Sequence, residues 1–282
     1  MKFAAYALNG TEGLAAWIDD AWYGAAGLPG LEQLLMSGGT ALADAHRRLR
    51  TEGQRLDEGA IRFLPPLRNP AKIICVGLNY ADHSAESGFA TPTYPAIFTR
   101  VASSLIGHGA PILRPRVSDQ LDYEGELVAV MGRGGRYIPK ASALDHIAGY
   151  SIFNDASVRD YQMKSTQWTI GKNFDGTGSF GPSFVTADEL PPGARGLRLQ
   201  TRLNGKIVQD ASTTDMIFDV ASLVAILSEA ITLAPGDVIV TGTPSGVGLA
   251  RKPQLWMRPG DTCEVEIEGL SILSNPIADE AR

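Results

Sequence analysis

Short apolar runs, separated by glycine and proline, follow one another through most of the chain. Ile73, Ile74 and Val76 form a β-branched run before Gly77, which predicts a buried strand that ends in a loop. The same pattern predicts strands in the segments AIFTR, GELVAVMG, LRLQTRLNGKIVQD, DVIVTG and CEVEIEG. The third segment contains Asn204-Gly205, a dipeptide typical of a hairpin turn. The pattern as a whole is typical of a roll or barrel with many tight turns.

One segment has helical periodicity instead. Its apolar residues recur every three or four positions, and they are Val220, Leu223, Val224, Leu227, Ala230 and Ile231. Asp219 is a reasonable N-cap immediately before them, and Pro235-Gly236 would end the helix. Together with the strands, this amphipathic helix places the chain in the α+β class, with strands dominant in the larger part.

Residues 1–68 differ from the remainder. They combine a short strand-like start with Ala/Leu-rich stretches such as LEQLLMSGGTALADAHRRLRTEG. They end in the proline-rich FLPPLRNP, from Phe63 to Pro70, which is typical of a linker. We therefore predict a small N-terminal domain over residues 1–68 and a larger, strand-rich domain over residues 69–282.

The composition is ordinary for a globular protein, since 44% of the 282 residues are hydrophobic and 20% are charged. A net charge of −6 argues against a nucleic acid or an anionic membrane as partner. Cys75 and Cys263 lie far apart in apolar surroundings, so we predict buried thiols in a reducing compartment. The first apolar run is too short for a secretory signal and no stretch approaches a membrane span, so a cytoplasmic location is expected.

Two carboxylates open the apolar run DYEGELVAVM. Glu124 and Glu126 are two positions apart, so an extended chain places both on one face, close enough to repel. A third acid, Asp155, lies in the apolar segment GYSIFNDASV. Three carboxylates without histidine or thiolate suit a hard cation such as Mg²⁺ or Mn²⁺. The alternative is a half-exposed strand with outward-facing acids and an unrelated turn aspartate.

A histidine and a glutamate lie three positions apart in GLNYADHSAESG. On one helical turn His83 and Glu86 would be neighbours, so the carboxylate could orient the imidazole as a general base. The alternative is a solvated helix start with an incidental pair.

Polar residues also occur in two glycine-containing segments. YQMKSTQWTIGKNFDG contains Gln162, Lys164 and Lys172, and a lysine such as Lys172 beside a metal could stabilise an enolate or oxyanion. A solvated loop is the alternative, stronger for Lys164 than for Lys172, which follows the apolar WTIG. VTGTPSGVGLA lacks the GxxxxGK[ST] phosphate-loop pattern, so Thr241 and Thr243 fit a small anionic substrate better than a nucleotide.

These four clusters, in this order, resemble the fumarylacetoacetate hydrolase family in its short, mainly bacterial branch. The resemblance extends from about Lys72 to about Ile277. In that family an ExE motif is followed about thirty residues later by an aspartate. The resemblance therefore implies that Glu124, Glu126 and Asp155 bind Mg²⁺ or Mn²⁺.

The resemblance also implies roles for the other clusters. It places His83 and Glu86 on a short lid-like helix that activates a water, and it places Lys172 near the metal. It implies substrate contacts for Gln162 and Thr243, whereas Arg159 is expected to hold the acidic cluster together. Several relatives carry arginine where this chain has Leu78, and we expect Arg100 to contact the substrate in its place.

The implied fold is a mixed β-roll preceded by a small, variable N-terminal α/β domain, and the implied assembly is a homodimer. The implied activity is metal-dependent hydrolysis of a C–C bond in a 2-oxo or 2,4-dioxo acid such as an acylpyruvate or fumarylpyruvate, as in aromatic catabolism. A 2-hydroxypentadienoate-type hydratase, an oxaloacetate-type decarboxylase and an isomerase are alternatives on the same scaffold. A non-catalytic metal- or ligand-binding relative is an alternative of another class, but it predicts loss of a ligand, Lys172 or the His83/Glu86 pair, and all are present.

Overall fold

Strands account for most of the regular structure in the computed structural model, which describes residues 1–82 and 92–281. The α+β class and the strand-dominated roll predicted from the sequence are confirmed. In chain order the strands are β1 (Lys2–Leu8), β2 (Thr11–Ile18), β3 (Ala21–Ala26), β4 (Gln54–Arg55), β5 (Arg62–Leu64), β6 (Ile73–Gly77), β7 (Ala96–Arg100), β8 (Leu105–Ile106), β9 (Ile112–Arg114), β10 (Leu121–Asp122), β11 (Gly125–Met131), β12 (Ile147–Asp155), β13 (Ser157–Val158), β14 (Gly178–Thr186), β15 (Arg198–Leu203), β16 (Lys206–Ser212), β17 (Val238–Val240), β18 (Thr262–Ile267) and β19 (Ser271–Asp279).

The helices are short and lie between these strands. The described α-helices are Leu31–Ser37, Ala41–Glu52, Arg159–Gln162, Thr169–Lys172 and Val220–Ala230. Within the described residues no helix has the length and apolar character needed to span a membrane.

Two sheets carry most of the architecture. The larger one has the strand order β4-β3-β2-β1-β14-β12-β11-β17-β6-β7, with β5 beside β1 and β8 beside β14. A second sheet has the order β16-β15-β18-β19-β9, and β10 pairs separately with β13. Most neighbours are antiparallel, whereas β17 and β6 run parallel, so the sheet is mixed.

The N-terminal strands continue the large sheet. β1 pairs antiparallel with β14, which places Phe3 opposite Phe184. Phe3 and Leu49 share a buried cluster with Phe153 and other residues of the later strands. The two parts of the chain therefore share one sheet, and their division at residue 68 stays a prediction.

β11 is buried along its whole length, between β12 and β17. Its side chains alternate between two apolar clusters, with Leu127 and Ala129 in one, and Val128 and Val130 in the other. Burial on both faces explains why this strand is an almost continuous apolar run. Glu126 lies on the face of Val128, so its carboxylate enters the protein interior.

The predicted local elements are largely confirmed. β15 and β16 form the hairpin, and Asn204 and Gly205 both have positive φ, 53° and 74°, as a type I′ turn requires. Both cysteines are free and buried, as predicted. The strand predicted for DVIVTG is shorter, Val238–Val240, and the hydroxyls of Thr241 and Thr243 after it donate to backbone carbonyls of β11.

The helix Val220–Ala230 begins where the sequence predicts. Its predicted apolar face is buried at Val220, Leu223 and Leu227, and the Asp219 carboxylate accepts a 2.8 Å hydrogen bond from the Ser222 backbone N–H. The cap satisfies a backbone donor that the helix itself cannot satisfy.

We expect Asp219→Ala to lower the free energy of unfolding by about 1 kcal/mol, because this capping bond is lost. Urea unfolding at neutral pH measures the change. Lys140→Ala is the control, since Lys140 also contacts Asp219, at 3.3 Å on the surface, and should cost about half as much or less. An equal loss in both variants would show that the ion pair, not the cap, stabilises this helix.

Candidate metal centre

Three carboxylates meet at the edge shared by β11 and β12. Glu124 precedes β11, Glu126 lies within it, and Asp155 ends β12. The antiparallel register pairs Gly125 with Asn154, and the Asp155 N–H donates to the Glu124 carbonyl at 2.9 Å. Pairing of the two strands therefore brings together acids that are far apart in sequence, and their oxygens lie within 4.8 Å of one another.

The three acids are buried, with exposures of 5%, 2% and 0% for Glu124, Glu126 and Asp155. This excludes the alternative of outward-facing acids on a half-exposed strand. Like charges at such separations in the interior repel strongly, so they require cations or protons nearby.

Three basic side chains supply positive charge. The Lys172 ammonium, 2% exposed, lies 2.6 Å from Glu124 Oε2 and 2.7 Å from Asp155 Oδ2. Arg159 Nη2 is 2.7 Å from Glu124 Oε1, and Arg100 Nε is 2.5 Å from Asp155 Oδ1. Lys172 comes from the helix Thr169–Lys172, so the solvated-loop alternative for this residue is excluded.

Burial and neighbouring charges raise the pKa values of Lys172 and Glu126. Burial acts to lower the pKa of Lys172, but Asp155 and Glu124 outweigh it, so the pKa lies above its ordinary value. Burial, and then the charges of Asp155 and Glu124, raise the pKa of Glu126 well above its ordinary range. Lys172 and the Gly242 N–H oppose that rise.

The donor set fits a hard divalent cation. All three side chains are carboxylates, the ligand type that Mg²⁺ and Mn²⁺ prefer. A cation among the three carboxylates would offset the repulsion that Asp155 and Glu124 exert on Glu126.

Asp122 and Arg159 support the centre from behind. The buried Asp122 carboxylate accepts from Arg159 Nε at 2.8 Å and from the backbone N–H groups of Gly248 and Leu249 at 2.7 and 3.0 Å. Arg159 also donates to Gln162 Oε1 at 2.8 Å. Arg159 thus holds the acidic cluster, as the sequence predicts, and it ties Gln162 to the centre.

The segment Thr241-Gly242-Thr243 lies against β11. Its two hydroxyls donate to the carbonyls of Leu127 and Gly125, each at 3.0 Å, and the Gly242 N–H donates to Glu126 Oε2 at 2.5 Å. Gly242 has φ 102°, and a Cβ there would approach Asn79 Cβ to 2.7 Å. A glycine is therefore required for this backbone N–H to reach Glu126.

Arg100, which the sequence suggests as a substrate contact, lies in the interior and pairs with Asp155. It is 3% exposed, and besides Asp155 it donates to the Ala156 carbonyl at 2.7 Å and to Ser104 and Thr177. These protein contacts favour a role in holding Asp155 over the expected substrate contact. His83 and Glu86 lie outside the described residues.

The structure adds polar residues that the sequence analysis did not single out. Asn154 Oδ1 accepts from the Glu124 N–H at 3.0 Å, and Gln209 Oε1 accepts from the Gly125 N–H at 3.0 Å. The position of Asn154 beside Asp155 could have suggested it. Nothing in the sequence points to Gln209, because it belongs to another sheet.

The chain is similar in sequence and structure to several known proteins. Residues 72–278 match the family described as fumarylacetoacetate (FAA) hydrolase, C-terminal. A mitochondrial oxaloacetate tautomerase of Xenopus laevis is 41% identical over 249 residues, which are 88% of this chain and 78% of the relative.

Two solved structures share the whole fold. A fumarylacetoacetate hydrolase from Exiguobacterium antarcticum has a TM-score of 0.87 and 35% identity, covering 99% of this chain and 100% of its own. A 5-carboxymethyl-2-hydroxymuconate delta-isomerase from Mycobacterium smegmatis has a TM-score of 0.80 and 31% identity, covering 100% of each chain.

We expect Mn²⁺ at a hundredfold excess over its dissociation constant to raise the free energy of unfolding by about 2.7 kcal/mol, since the ion binds the folded state. Glu126→Gln should abolish the rise, because it removes one of the three carboxylates. Thermal unfolding with and without Mn²⁺ measures both.

Glu264→Gln is the matched control and should respond like the wild type, because Glu264 pairs with Arg202 on the five-stranded sheet, outside the acidic triad. A full Mn²⁺ response in Glu126→Gln would place the ion elsewhere.

Proposed function

Since the chain belongs to the fumarylacetoacetate hydrolase family, we propose that it is a divalent-metal-dependent enzyme that interconverts the keto and enol forms of an oxaloacetate-like 2-oxo acid. The observation that carries this proposal is a buried carboxylate triad with a protonated lysine set between two of its members. Such a site suits a reaction in which negative charge develops on the substrate's 2-oxo oxygen.

The proposed metal ligands are Glu124, Glu126 and Asp155. A bound Mg²⁺ or Mn²⁺ would supply Lewis-acid stabilisation of negative charge on the carboxylate and 2-oxo oxygens of the substrate. Arg100 and Arg159 keep Asp155 and Glu124 in place through their ion pairs. We therefore assign both arginines to positioning.

Lys172 supplies a second positive charge to the reacting oxygen. Its ammonium is fixed between Glu124 and Asp155 and stands 5.0 Å from the centre of the Phe98 ring. Because the site is buried, that charge acts through a low dielectric and needs little reorganisation as the enolate forms.

Gln162 offers a donor to the substrate. Its Oε1 accepts from Arg159, and arginine can only donate, so this contact fixes the orientation of the amide. The Nε2 group of Gln162 can then donate to a substrate oxygen. We propose that it binds a carboxylate oxygen of the 2-oxo acid.

Proton transfer at the carbon next to the keto group requires a base. We propose that His83, oriented by Glu86, takes that proton in one direction and returns it in the other, while water supplies or accepts the proton on the 2-oxo oxygen. The spacing of the two residues in the sequence supports this assignment.

The names of two relatives favour isomerisation over the hydrolysis expected from the sequence. The Xenopus laevis relative is named a tautomerase and the Mycobacterium smegmatis structure an isomerase. Hydrolytic C–C cleavage of an acylpyruvate- or fumarylpyruvate-like acid is the second candidate. One observation favours it, because the His83/Glu86 pair could direct a water at a distal carbonyl. The homodimer and the cytoplasmic location stay predictions.

We expect the enzyme with Mg²⁺ to accelerate decay of the enol absorbance of oxaloacetate without loss of total oxaloacetate, because isomerisation breaks no C–C bond. EDTA should stop the reaction. Acetylpyruvate and fumarylpyruvate, with pyruvate assayed as product, test hydrolysis in parallel. Stoichiometric pyruvate from acetylpyruvate, with oxaloacetate enol unaffected, would identify a hydrolase instead.

We expect Lys172→Met to lower kcat about a hundredfold, because the charge that stabilises the enolate is removed. Mn²⁺ affinity should not fall, since loss of a cation leaves the carboxylates more negative. Titration calorimetry and enol decay measure the two effects.

Lys164→Met is the control, because Lys164 is exposed and its ammonium lies over the Tyr161 ring, 3.3 Å from its centre. If both variants keep wild-type kcat, Lys172 has no part in the chemistry.

A further inference from the structure

A closed ring of hydrogen bonds surrounds the peptide groups of Gly125, the residue between the two glutamates. The Gly125 N–H donates to Gln209 Oε1 at 3.0 Å, and Gln209 Nε2 donates to Thr243 Oγ1 at 2.9 Å. Thr243 Oγ1 in turn donates to the Gly125 carbonyl at 3.0 Å. Gln209 and Thr243 are 2% and 3% exposed, so the ring is buried.

The ring takes the place of a neighbouring strand. β17 pairs with β11 from Val128 to Val130, and the Thr241 N–H extends the pairing to the Leu127 carbonyl. At Gly125, two residues further toward the metal ligands, side chains satisfy the backbone donor and acceptor instead. A buried backbone group without such partners would lose the hydrogen bonds that it makes with water in the unfolded chain.

The orientation of the Gln209 amide is determined by its other partners. Gln209 Nε2 also donates to the Pro244 carbonyl at 2.9 Å, and a carbonyl can only accept. Oε1 faces the Gly125 N–H, which can only donate. If the amide oxygen and nitrogen were exchanged, the NH₂ group would face the Gly125 N–H and the oxygen would face the Pro244 carbonyl, and neither pair can form a hydrogen bond. Gln209 therefore donates an N–H to Thr243.

This orientation of the Gln209 amide determines which group receives the single hydroxyl proton of Thr243. The hydroxyl accepts from Gln209, so its one hydrogen goes to the Gly125 carbonyl. A substrate carboxylate or keto oxygen is itself an acceptor. The hydroxyl could donate to such an oxygen only if the bond to Gly125 were broken.

Tight packing at Gly125 leaves little room for the peptide to move. A Cβ at this position would lie 2.9 Å from Val265 Cγ1 and would also clash with Thr201 Oγ1. Thr201 on β15 is the register partner of Gln209 on β16. The hairpin that turns at Asn204-Gly205 therefore brings both its packing surface and Gln209 against the ligand-bearing strand.

We propose that Gln209 and Thr243 are positioning residues for the metal centre, and that the Thr243 hydroxyl serves the Gly125 peptide rather than the substrate. The ring fixes the peptide that joins Glu124 to Glu126, and so fixes the separation of the two carboxylates. The proposal rests on the metal site of the proposed function and replaces the substrate contact expected for Thr243 from the sequence.

The first test is Mn²⁺ binding without substrate, measured by titration calorimetry at a temperature where every variant is folded. Gln209→Leu and Thr243→Val should each weaken binding about tenfold or more, as loss of residues that orient metal ligands does. Thr243→Ser keeps the hydroxyl and should restore near wild-type affinity. Because both residues belong to one ring, the double variant should lose less than the product of the single losses.

Gln200→Leu is the matched control, since Gln200 lies on the same hairpin and its amide donates to Asp210, away from Gly125. It should keep wild-type Mn²⁺ affinity. If Gln209→Leu does not fold, Thr243→Val tests the ring independently. Unchanged Mn²⁺ affinity in Thr243→Val would overturn the proposal.

The second test separates the two roles of Thr243 with oxalate as the probe. In the Mn²⁺-saturated protein, oxalate affinity should be the same in Thr243→Val and the wild type. A tenfold or larger loss of oxalate affinity with unchanged Mn²⁺ affinity would assign the hydroxyl to the substrate and overturn the proposal. Neither test measures turnover, so the results do not depend on which reaction the enzyme catalyses. Failure of the wild type to bind Mn²⁺ would instead count against the proposed function.

Discussion

Burial of three carboxylates within 4.8 Å of one another is the electrostatic problem around which the rest of this structure is arranged. Nearby basic residues offset the repulsion among the three acids. Lys172 lies between Glu124 and Asp155, whereas Arg159 and Arg100 pair with these two acids from behind. Glu126 accepts the Gly242 N–H, but burial and the charges of Asp155 and Glu124 outweigh this contact and raise its pKa. A bound cation would offset the repulsion that remains among the three acids, which is why we propose the triad as a metal site.

Both sheets contribute to the precision of this site. β11 and β12 of the large sheet carry the acids, and the segment after β17 reaches back to β11 through Thr241 and Thr243. The five-stranded sheet contributes Gln209 and the close packing at Gly125. Ligands held from several directions lose little freedom when an ion binds, which favours affinity and a single geometry.

The centre is suited to enolate chemistry without fixing what happens to the enolate. The charge stabilisation that we propose for the metal ion and Lys172 would serve isomerisation, decarboxylation and C–C hydrolysis of 2-oxo acids alike. The outcome depends on where a proton or a water is delivered. The relatives accordingly bear the names of a tautomerase, an isomerase and a hydrolase on the same scaffold.

The sequence by itself determined what depends on neighbouring positions in the chain. Strand alternation placed Glu124 and Glu126 on one face, and local signals located the Asn204-Gly205 hairpin and the helix after Asp219. Apolar surroundings singled out Asp155 and Lys172, and the family resemblance implied their roles and that of Arg159.

Only the tertiary structure decided which groups face each other across long separations. It turned Arg100 toward Asp155, brought Gln209 from another sheet, and joined Thr243 to Gly125, 118 positions away. The Thr243 hydroxyl donates its single proton to the Gly125 carbonyl. The spacing of residues along the chain cannot predict a contact of this kind, because it depends on how distant segments pack.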